Sequence, residues 1–421
     1  MLKNKINKQS NKIWDVIVIG GGASGMMAGI TASRLGKSVL ILEKNKSLGE
    51  KLKITGGGRC NITNAEYDTH KFLENYGKSK DFLYSPFSIF GVKDTFNFFE
   101  ELGLPLVVQA RKRAFPSTEK ATDVYLSMKK ELEKNGVVFK LGVSVTGLID
   151  DGSKIIAVKT KEGVYDGKSF ILATGGTSHP ETGSTGDGFK FLKILGHKVE
   201  NPSPSVVPIE VSDEWVHVLS GVSLSFMKIT FFLDNKKQFS KTGKILFTHF
   251  GFSGPLILNS ASHVGSLLQA GKVEAIIDAY PDTDEGTLES RIIKIFDDNK
   301  NKTLKNILKE FVPDGMSKAF EILLDFIDLE IKVHSITKED RKKIVKLLKN
   351  LKVNITNLMG YDRAVVVDGG VDLKEINMKT MQSNIYNNLF ITGDLLNINR
   401  HSGGYGLQLC WTTGYIAGLN A

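Results

Sequence analysis

Cysteine is the scarcest functional residue here: the 421-residue chain carries two, Cys60 and Cys410. They are far apart and in no C-x-x-C arrangement, which excludes a disulfide framework and the dithiol relay of a disulfide reductase, and suits a reducing cytoplasm. Long hydrophobic runs are also missing. None approaches the ~18 residues needed to span a bilayer, so no membrane partner is expected. The stretch 1–12 is polar and basic without an apolar h-region, and reads as a frayed tail rather than a secretion signal. There is no internal repeat, no low-complexity segment and no expected metal site. A hydrophobic share of 41% is that of an ordinary globular protein. The length exceeds one simple core and implies two domains, with room for an insertion.

Acidic residues are in deficit, 46 Asp and Glu against 55 Lys and Arg, for a net charge of +9. Such a balance can mark a nucleic-acid partner. However, the lysines are spread widely. The strongest run, Lys338–Lys352, is punctuated by Ile344, Val345, Leu347, Leu348 and Leu351, the pattern of an amphipathic helix with a solvated basic face. A small-molecule substrate is therefore placed ahead of nucleic acid, for a cytoplasmic monomer or weak homodimer.

Glycine, by contrast, is plentiful. The β-branched run Trp14–Ile19 breaks into Gly-x-Gly-x-x-Gly at Gly20, Gly22 and Gly25, with Ala23 and Ser24 between, and a helical pattern follows. These glycines provide a tight turn, a close approach for a pyrophosphate, and close packing of a helix whose N-terminal N–H groups face the phosphates. Ser38–Leu42 reads as the next strand. It ends at Glu43, where a carboxylate can take both hydroxyls of an unphosphorylated ribose. Together these bind an ADP moiety, as in FAD or NAD.

The segment from Lys51 to Asn61 contains Gly56, Gly57, Gly58, Arg59 and Cys60, and reads as a loop wrapping an anionic ligand, with Arg59 reaching a phosphate or a substrate carboxylate. Residues 69–104 read as helices with Phe96, Phe98 and Phe99 in the core, and a helix is expected from Ala121 to Asn135. Strands then follow at 137–145, with a hairpin turned at Asp150-Asp151-Gly152. Ser169–Gly176 is a buried strand whose end, Ala173-Thr174-Gly175, brings a second backbone edge to the dinucleotide. Beyond Pro202 the texture changes. Strands are expected at Leu224–Leu233 and Lys244–Phe247, then charged helices from Tyr280-Pro281 onward. The expected organisation is a tail at 1–12, a nucleotide domain at 13–198, an insert at 199–352 with a β part and a helical part, and a return to the nucleotide domain at 353–421.

Within that last segment a strand ends in Gly393-Asp394, and Gly403-Gly404 precedes Tyr405, Gly406 and an apolar helix. A flavoprotein needs both features. Asp394 can bind the ribityl chain, and the helix N-terminus, with roughly half a positive charge, can stabilise an anionic reduced flavin. FAD is therefore favoured over NAD.

Gly57–Asn64, Ala173–Gly176, Thr182–Gly188, Phe247–Pro255 and Gly403–Tyr405 together resemble the BaiN-like, aminoacetone-oxidase-type family of FAD-binding proteins, from Trp14 to the C-terminus. The resemblance implies an α/β fold: a Rossmann-like FAD-binding domain of the glutathione-reductase-2 type, three-layer ββα, interrupted by an insert domain that covers the flavin. It implies non-covalent FAD held at Gly20, Gly22, Ala23, Ser24 and Gly25. Glu43 and Lys44 would stand at the ribose and adenine edge, Val145 would make a backbone contact to adenine, and Arg59, Cys60 and Asn61 would line the flavin end. Its members include amine oxidases and enzymes of steroid-acid thioesters. Two departures, Asn397-Ile398-Asn399-Arg400 for a usual Asp-Ile-Asp-Gly and His179 for a usual Tyr, fall near the flavin, so the relatives' substrates are not carried over.

His249, between a strand and a Gly/Ser-rich turn, and His401, just before the helix cap, are the candidate proton carriers. Arg400 and Arg59 are candidate clamps for an anionic substrate. Cys60 reads as a small wall residue rather than a redox thiol, since no resolving cysteine adjoins it, and Cys410 as core. The expected function is an FAD-dependent oxidoreductase passing a hydride between flavin N5 and a small amine or enone, with NAD(P)H or oxygen as electron partner. A flavoprotein acting on RNA and a flavin-binding regulator without turnover are the alternatives.

Overall fold

The computed structural model of the protein describes residues 12–421, so the expected tail lies, except for Lys12, outside the described residues. The chain divides into two units. The first is formed by the segments up to Pro204 and from Ala364 onward, the second by Ser205–Arg363.

The core of the first unit is a sheet of parallel strands in the order Val138–Leu141, Val39–Glu43, Trp14–Ile19, Val164–Leu172, with Leu389–Ile391 joining the last of these. Val16, Ile17 and Val18 are wholly buried on both faces of the sheet. An unbroken β-branched run, rather than an alternating one, is what such a central parallel strand requires. The strand Val164–Leu172 is shared. Its last residues lie in the parallel sheet, and its first pair antiparallel with Ile155–Thr160, which pairs in turn with Val145–Asp150. The meander and the helix Ala121–Lys134 stand close to where the sequence puts them. The segment 50–54 differs from expectation: it is a short helix, with Leu52 buried and Glu50 in its first turn, before the glycines turn left-handed.

Two helices run side by side, the first at Ala23–Arg34 and the terminal one at Tyr405–Asn420. A Cβ on Gly414 would stand 2.4 Å from the Ser24 carbonyl oxygen, and one on Gly418 2.4 Å from that of Ala28, so the two backbones touch. The terminal helix is buried nearly all round, and its polar groups are paired inside. Gln408 donates to Thr95 at 2.8 Å and Thr412 at 3.1 Å and accepts from Thr63 at 2.6 Å, while the Trp411 indole donates to the Ile62 carbonyl at 3.0 Å. Such complete pairing is what lets polar groups stay in a core.

A small antiparallel ladder pairs Val199–Pro204 with Val367–Val371 and sets the two chain crossings side by side. This ladder moves the boundaries. Residues 199–204 are held by the first unit, so the second begins at Ser205 rather than 199. It ends at Arg363 rather than 352, because Leu351–Leu358 is one of its strands.

The second unit is built on a closed barrel in the order Ile209–Val211, Gly251–Ser253, Lys236–Thr248, Ser223–Leu233, Val273–Asp278, Leu351–Leu358. Four helices longer than one turn, Glu285–Asp298, Leu304–Phe311, Ser317–Leu323 and Lys338–Lys349, are inserted between its last two strands and share its hydrophobic core. The β part and helical part are as expected. The final strand is not, since the sequence reads as helix through Lys352, whereas the helix stops at Lys349 and Leu351 starts a strand.

Replacing Gly414 by Val would force the helix pair apart. A loss at the upper end of the usual overpacking range, about 1–3 kcal/mol, is expected from urea unfolding followed by circular dichroism.

Candidate cofactor site of the first unit

The site begins where the strand Trp14–Ile19 turns into the first helix. A Cβ on Gly25 would lie 2.0 Å from the Gly20 oxygen, so the turn closes on itself there. Gly22 is different: nothing lies within 4 Å of where its Cβ would be. Gly22 caps the helix without a side-chain bond, and no acid stands in the first turn. The helix's first N–H groups, including those of Ala23 and Ser24, therefore look onto an open cradle, the arrangement that receives a phosphate.

Glu43 closes one side. It is 6% exposed and accepts from the backbone N–H of Gly21 at 2.7 Å and of Asn45 at 2.8 Å. Each carboxylate oxygen keeps one further lone pair for a ribose hydroxyl. Val143 donates its N–H to the Glu43 carbonyl at 3.0 Å, which brings Val145 to the same end of the sheet. Lys44 is engaged elsewhere. Its ammonium lies 2.9 Å from Asp187 and 2.6 Å from Thr185, so it braces the Thr182–Gly188 loop rather than standing free for a nucleotide.

At the other end stands the start of the terminal helix. Gly404, at φ 105°, lies so close to Thr63 that a Cβ would fall 2.3 Å from its carbonyl carbon. The Asn61 amide, with its oxygen toward the cap, accepts from the Gly404 N–H at 3.0 Å and donates to the Thr63 and Ala114 carbonyls. Asn64 donates to the Gly403 carbonyl at 3.3 Å. Asn61 thus fixes the cap, a sharper role than lining a wall. Cys60 is fully buried, and burial pushes its thiol up to about 12, so it is no redox thiol. Gly57 and Gly58 are exposed and left-handed.

Between the two ends the Lys51 ammonium lies 2.9 Å from Ser178 and 3.6 Å from Asp394. It joins the Ala173–Gly175 edge to the Gly393-Asp394 turn, and Gly393 donates its N–H to Thr413 at 3.0 Å. Asp394 forms a short ion pair with Arg400, whose guanidinium also donates to the Ile398 carbonyl at 3.1 Å. Burial works against both charges. Even so, Arg400 and Lys51 hold the Asp394 carboxyl below its ordinary range, and Asp394 keeps Arg400 charged. The Arg400 Nε is buried without a partner, 3.2 Å from where a Cβ on Gly406 would be. An orphaned donor against the first turn of the terminal helix and an open cradle at Gly22 are what an anionic dinucleotide would fill. Gly22–Gly25 suit its pyrophosphate, Glu43 its ribose, Asp394 its ribityl chain, and the Gly404–Gly406 turn its flavin.

Other expected residues stand apart from this set. Arg59 pairs with Glu119 at 2.7 Å and donates to Gln109 at 2.8 Å, so it holds the neighbouring hairpin instead of clamping a ligand. Arg400 is 5% exposed and committed to Asp394, so a substrate clamp is replaced by a buried pair. The Tyr405 ring packs on Phe72 at 4.9 Å between centroids, and its carbonyl accepts from the Tyr76 hydroxyl at 2.8 Å, which turns the ring into the core. His401 is exposed and bonded to Asn75 at 3.1 Å. His249 is exposed on the Thr248–Gly251 turn of the second unit. Among the described residues no His/Cys/Asp/Glu group could hold a metal.

The sequence gives no hint of one further cluster. Ser383 Oγ lies 3.0 Å from His197 Nε2, and His197 Nδ1 lies 2.8 Å from Glu375. The spacing is that of a hydrolytic triad. However, Ser383 is buried and its oxygen already accepts the N–H groups of Ile385 and Tyr386, each at 3.0 Å. It is a latch between the 197 and 375–386 segments, not a nucleophile.

The model of the HI0933-like protein Rossmann domain matches residues 14–420. The chain belongs to this HI0933-like, FAD-binding family. Within reach of full length, it is 28% identical over 410 residues to the 3-dehydro-bile acid delta(4,6)-reductase of Clostridium scindens, covering 96% of this chain and 98% of that one. It is 29% identical over 411 residues to the ribosomal RNA dihydrouridine synthase of Haemophilus influenzae, covering 96% and 97%. The corresponding synthase of Escherichia coli is 27% identical over 406 residues, with 96% of each chain covered. Among solved structures, a 3-ketosteroid delta1-dehydrogenase from Sterolibacterium denitrificans shares the fold, with TM-score 0.54, 13% identity, and 97% and 99% of the two chains covered. As a member of the HI0933-like family, the protein is a flavin-dependent oxidoreductase with FAD as cofactor. No helix among the described residues is long and apolar enough to cross a membrane.

Changing Asp394 to Asn would leave Arg400 buried and uncompensated, and a loss of about 3–5 kcal/mol is expected at pH 6. The folded-state carboxyl is depressed, so its contribution is full above the unfolded value near ~4 and fades as pH falls through the folded one. Urea titrations at pH 6 and pH 3 are therefore expected to show the gap between wild type and Asp394→Asn shrinking at the lower pH.

Proposed function

We propose that the protein reduces a carbon–carbon double bond conjugated to a carbonyl, and that its substrate is a uracil ring within RNA. One observation carries the reaction type: relatives aligned over 96% of the chain bear the names of a bile-acid delta(4,6)-reductase and of ribosomal RNA dihydrouridine synthases. A 3-oxo steroid with a 4-ene and a uracil ring share one reactive unit, a C=C next to C=O. In both, the carbon β to the carbonyl accepts a hydride and the α carbon a proton. Amine oxidation, the other reaction open from the sequence, has no counterpart among these names.

Bound FAD supplies the hydride at N5, with NAD(P)H as the source of electrons. The chain's own part is to hold and polarise. Asp394 and the cap fixed by Asn61 orient the cofactor, and the positive end of the terminal helix, with Arg400 beside it, favours negative charge at that end of the site. We assign the proton to His249, in support of which its ring is exposed on a turn and meets Phe250 edge-on, at 4.9 Å between centroids.

The preference for RNA over a free enone reverses the order taken from composition. It rests on where the positive charge lies. Overall the chain is basic, with a pI near 9.1. In the Lys338–Lys349 helix three cations are paired, Lys343 with Asp340 at 3.1 Å, Lys349 with Asp278 at 2.8 Å and Arg341 with Glu289 at 3.6 Å. A long stretch of the second unit, by contrast, holds six lysines and a single acid between Glu214 and Glu274. The second reading, a free 3-keto-4-ene, is favoured by the Clostridium scindens relative.

Yellow purified protein is expected to bleach under NADPH or NADH without oxygen, and to be re-oxidised by uridine-containing ribosomal RNA. Digestion to nucleosides should then show uridine gaining about 2 Da, one hydride and one proton. Re-oxidation by a 3-keto-4-ene steroid alone would transfer the assignment to the second reading, and re-oxidation by neither would end the proposal. His249→Gln is expected to slow the RNA step roughly 10²-fold or more while leaving reduction by NADPH unchanged.

A further inference from the structure

Acidic residues are almost absent from one stretch of the second unit. Between Glu214 and Glu274 the only acid is Asp234, against six lysines. Much of this stretch forms one antiparallel ribbon of the barrel, Ser223–Leu233 paired with Lys236–Thr248. Its inner side is apolar, with Leu224, Met227, Ile229 and Ile245 buried. On the outer side Lys228 stands between Thr242 on one neighbouring strand and Asp278, itself held by Lys349 at 2.8 Å, on the other. The Thr230 and Ser240 hydroxyls bond at 2.8 Å, and Lys244 is exposed beside a bulge. Lys228 and Lys244 have no ion-pair partner among the described residues. Elsewhere in this unit Lys300, Arg341, Lys343 and Lys349 are each met by a carboxylate.

The bulge carries a second anomaly. The register slips between Leu224 and Met227, and within the slip Phe226 is left-handed at φ 59° and 74% exposed. A bulky residue in that conformation is a genuine outlier, and an exposed aromatic ring adds nothing to the core. Glycine or asparagine would serve the bulge better. What the position does provide is a rigid aromatic face among lysines and hydroxyls.

We infer that the outer face of this ribbon is a docking surface for RNA, with Lys228 and Lys244 on phosphates and Phe226 stacked on an unpaired base. The inference rests on the reading of RNA as substrate and names the surface that receives it. Three features support the occupant. The ribbon's five lysines outnumber its one acid, Asp234, the excess that draws a phosphodiester backbone. Ser and Thr hydroxyls are the usual neutral donors to phosphate. Single-stranded segments are held by aromatic stacking combined with cations. A membrane surface would need several exposed apolar side chains, whereas Phe226 is the one large hydrophobic of the ribbon that is exposed.

The test uses the full-length FAD-loaded protein and a fluorescein-labelled, mixed-sequence single-stranded RNA of about 20 nucleotides, with anisotropy read over a salt series. For Lys228→Gln/Lys244→Gln, affinity at low salt should fall at least tenfold and the slope of log K against log salt should lessen by about two. For Phe226→Gly, affinity should fall roughly tenfold with the slope unchanged. That variant should also melt above wild type, because glycine removes the strain. Flavin reduction by NADPH should be the same in all three proteins. Unchanged RNA affinity in both variants would overturn the docking surface while leaving uracil reduction standing. Absence of uracil reduction with intact, variant-sensitive binding would instead overturn the function and keep the surface. Wild type that ignores RNA but binds phosphatidylglycerol vesicles, through the same lysines, would assign the face to a membrane and end the inference.

Discussion

The first unit depends on two helices whose backbones touch. Gly414 and Gly418 lie against the Ser24 and Ala28 carbonyl oxygens, so the helix Tyr405–Asn420 is pressed onto the helix Ala23–Arg34 with no side chain between them there. Everything at the cofactor site follows from that separation. The terminal helix can start at Gly404 only if its axis runs there, and the cap is then close enough for Asn61 and Asn64 to hold it. Ser24, in the first turn of one helix, comes within reach of Thr392 and Gly393, at the end of the strand that leads to Asp394. A site drawn from five separate segments is thereby held together by backbone contact and hydrogen bonds.

Its electrostatics share one bias. Both helices present their N-termini, Lys51 bridges the middle, and Arg400 is buried at one end, against the carboxylates of Glu43 and Asp394. Burying the Asp394–Arg400 pair costs desolvation on both sides and contributes little net stability by itself. What it supplies is a fixed charge pattern, held in place by the Ile398 carbonyl and by close packing at Gly406. The second unit distributes charge differently: three cations of its Lys338–Lys349 helix are paired with carboxylates, while its long ribbon carries five lysines and one acid.

Much of this was legible in the residues. Glycine spacing after a β-branched run located the cradle, because few other patterns allow a backbone to approach itself as closely as Gly20 and Gly25 do. Glu43 followed from spacing along a second strand. The insert's two textures were visible as Pro punctuation and then charge. What stayed hidden was tertiary. Nothing local says that Lys44 meets Asp187, that Arg59 turns to Glu119, or that Arg400 meets Asp394, because long cationic side chains take whichever carboxylate the fold brings near. Tyr405 beside a flavin cap is equally compatible with stacking or burial, and only the packing of Phe72 and Tyr76 decides. The strand Leu351–Leu358 was missed because its alternation begins inside the basic stretch that continues from the preceding helix. Asn61 could have been found as a cap residue, but its partner Gly404 lies too far along the chain for any local rule.

The split of the first unit has a consequence for how the protein is made. Ser205–Arg363 is continuous, so its barrel can close as soon as Leu351–Leu358 has emerged. The first unit cannot be completed then. Leu389–Ile391 has yet to pair with Phe170–Leu172, and the helix Tyr405–Asn420 has yet to be made. Since domains assemble as units during synthesis, the later part of the sequence folds before the earlier part is finished. The strand Trp14–Ile19 therefore waits for its sheet to be finished until the whole of Ser205–Arg363 and the segment after it have been made, and the cofactor cradle waits with it.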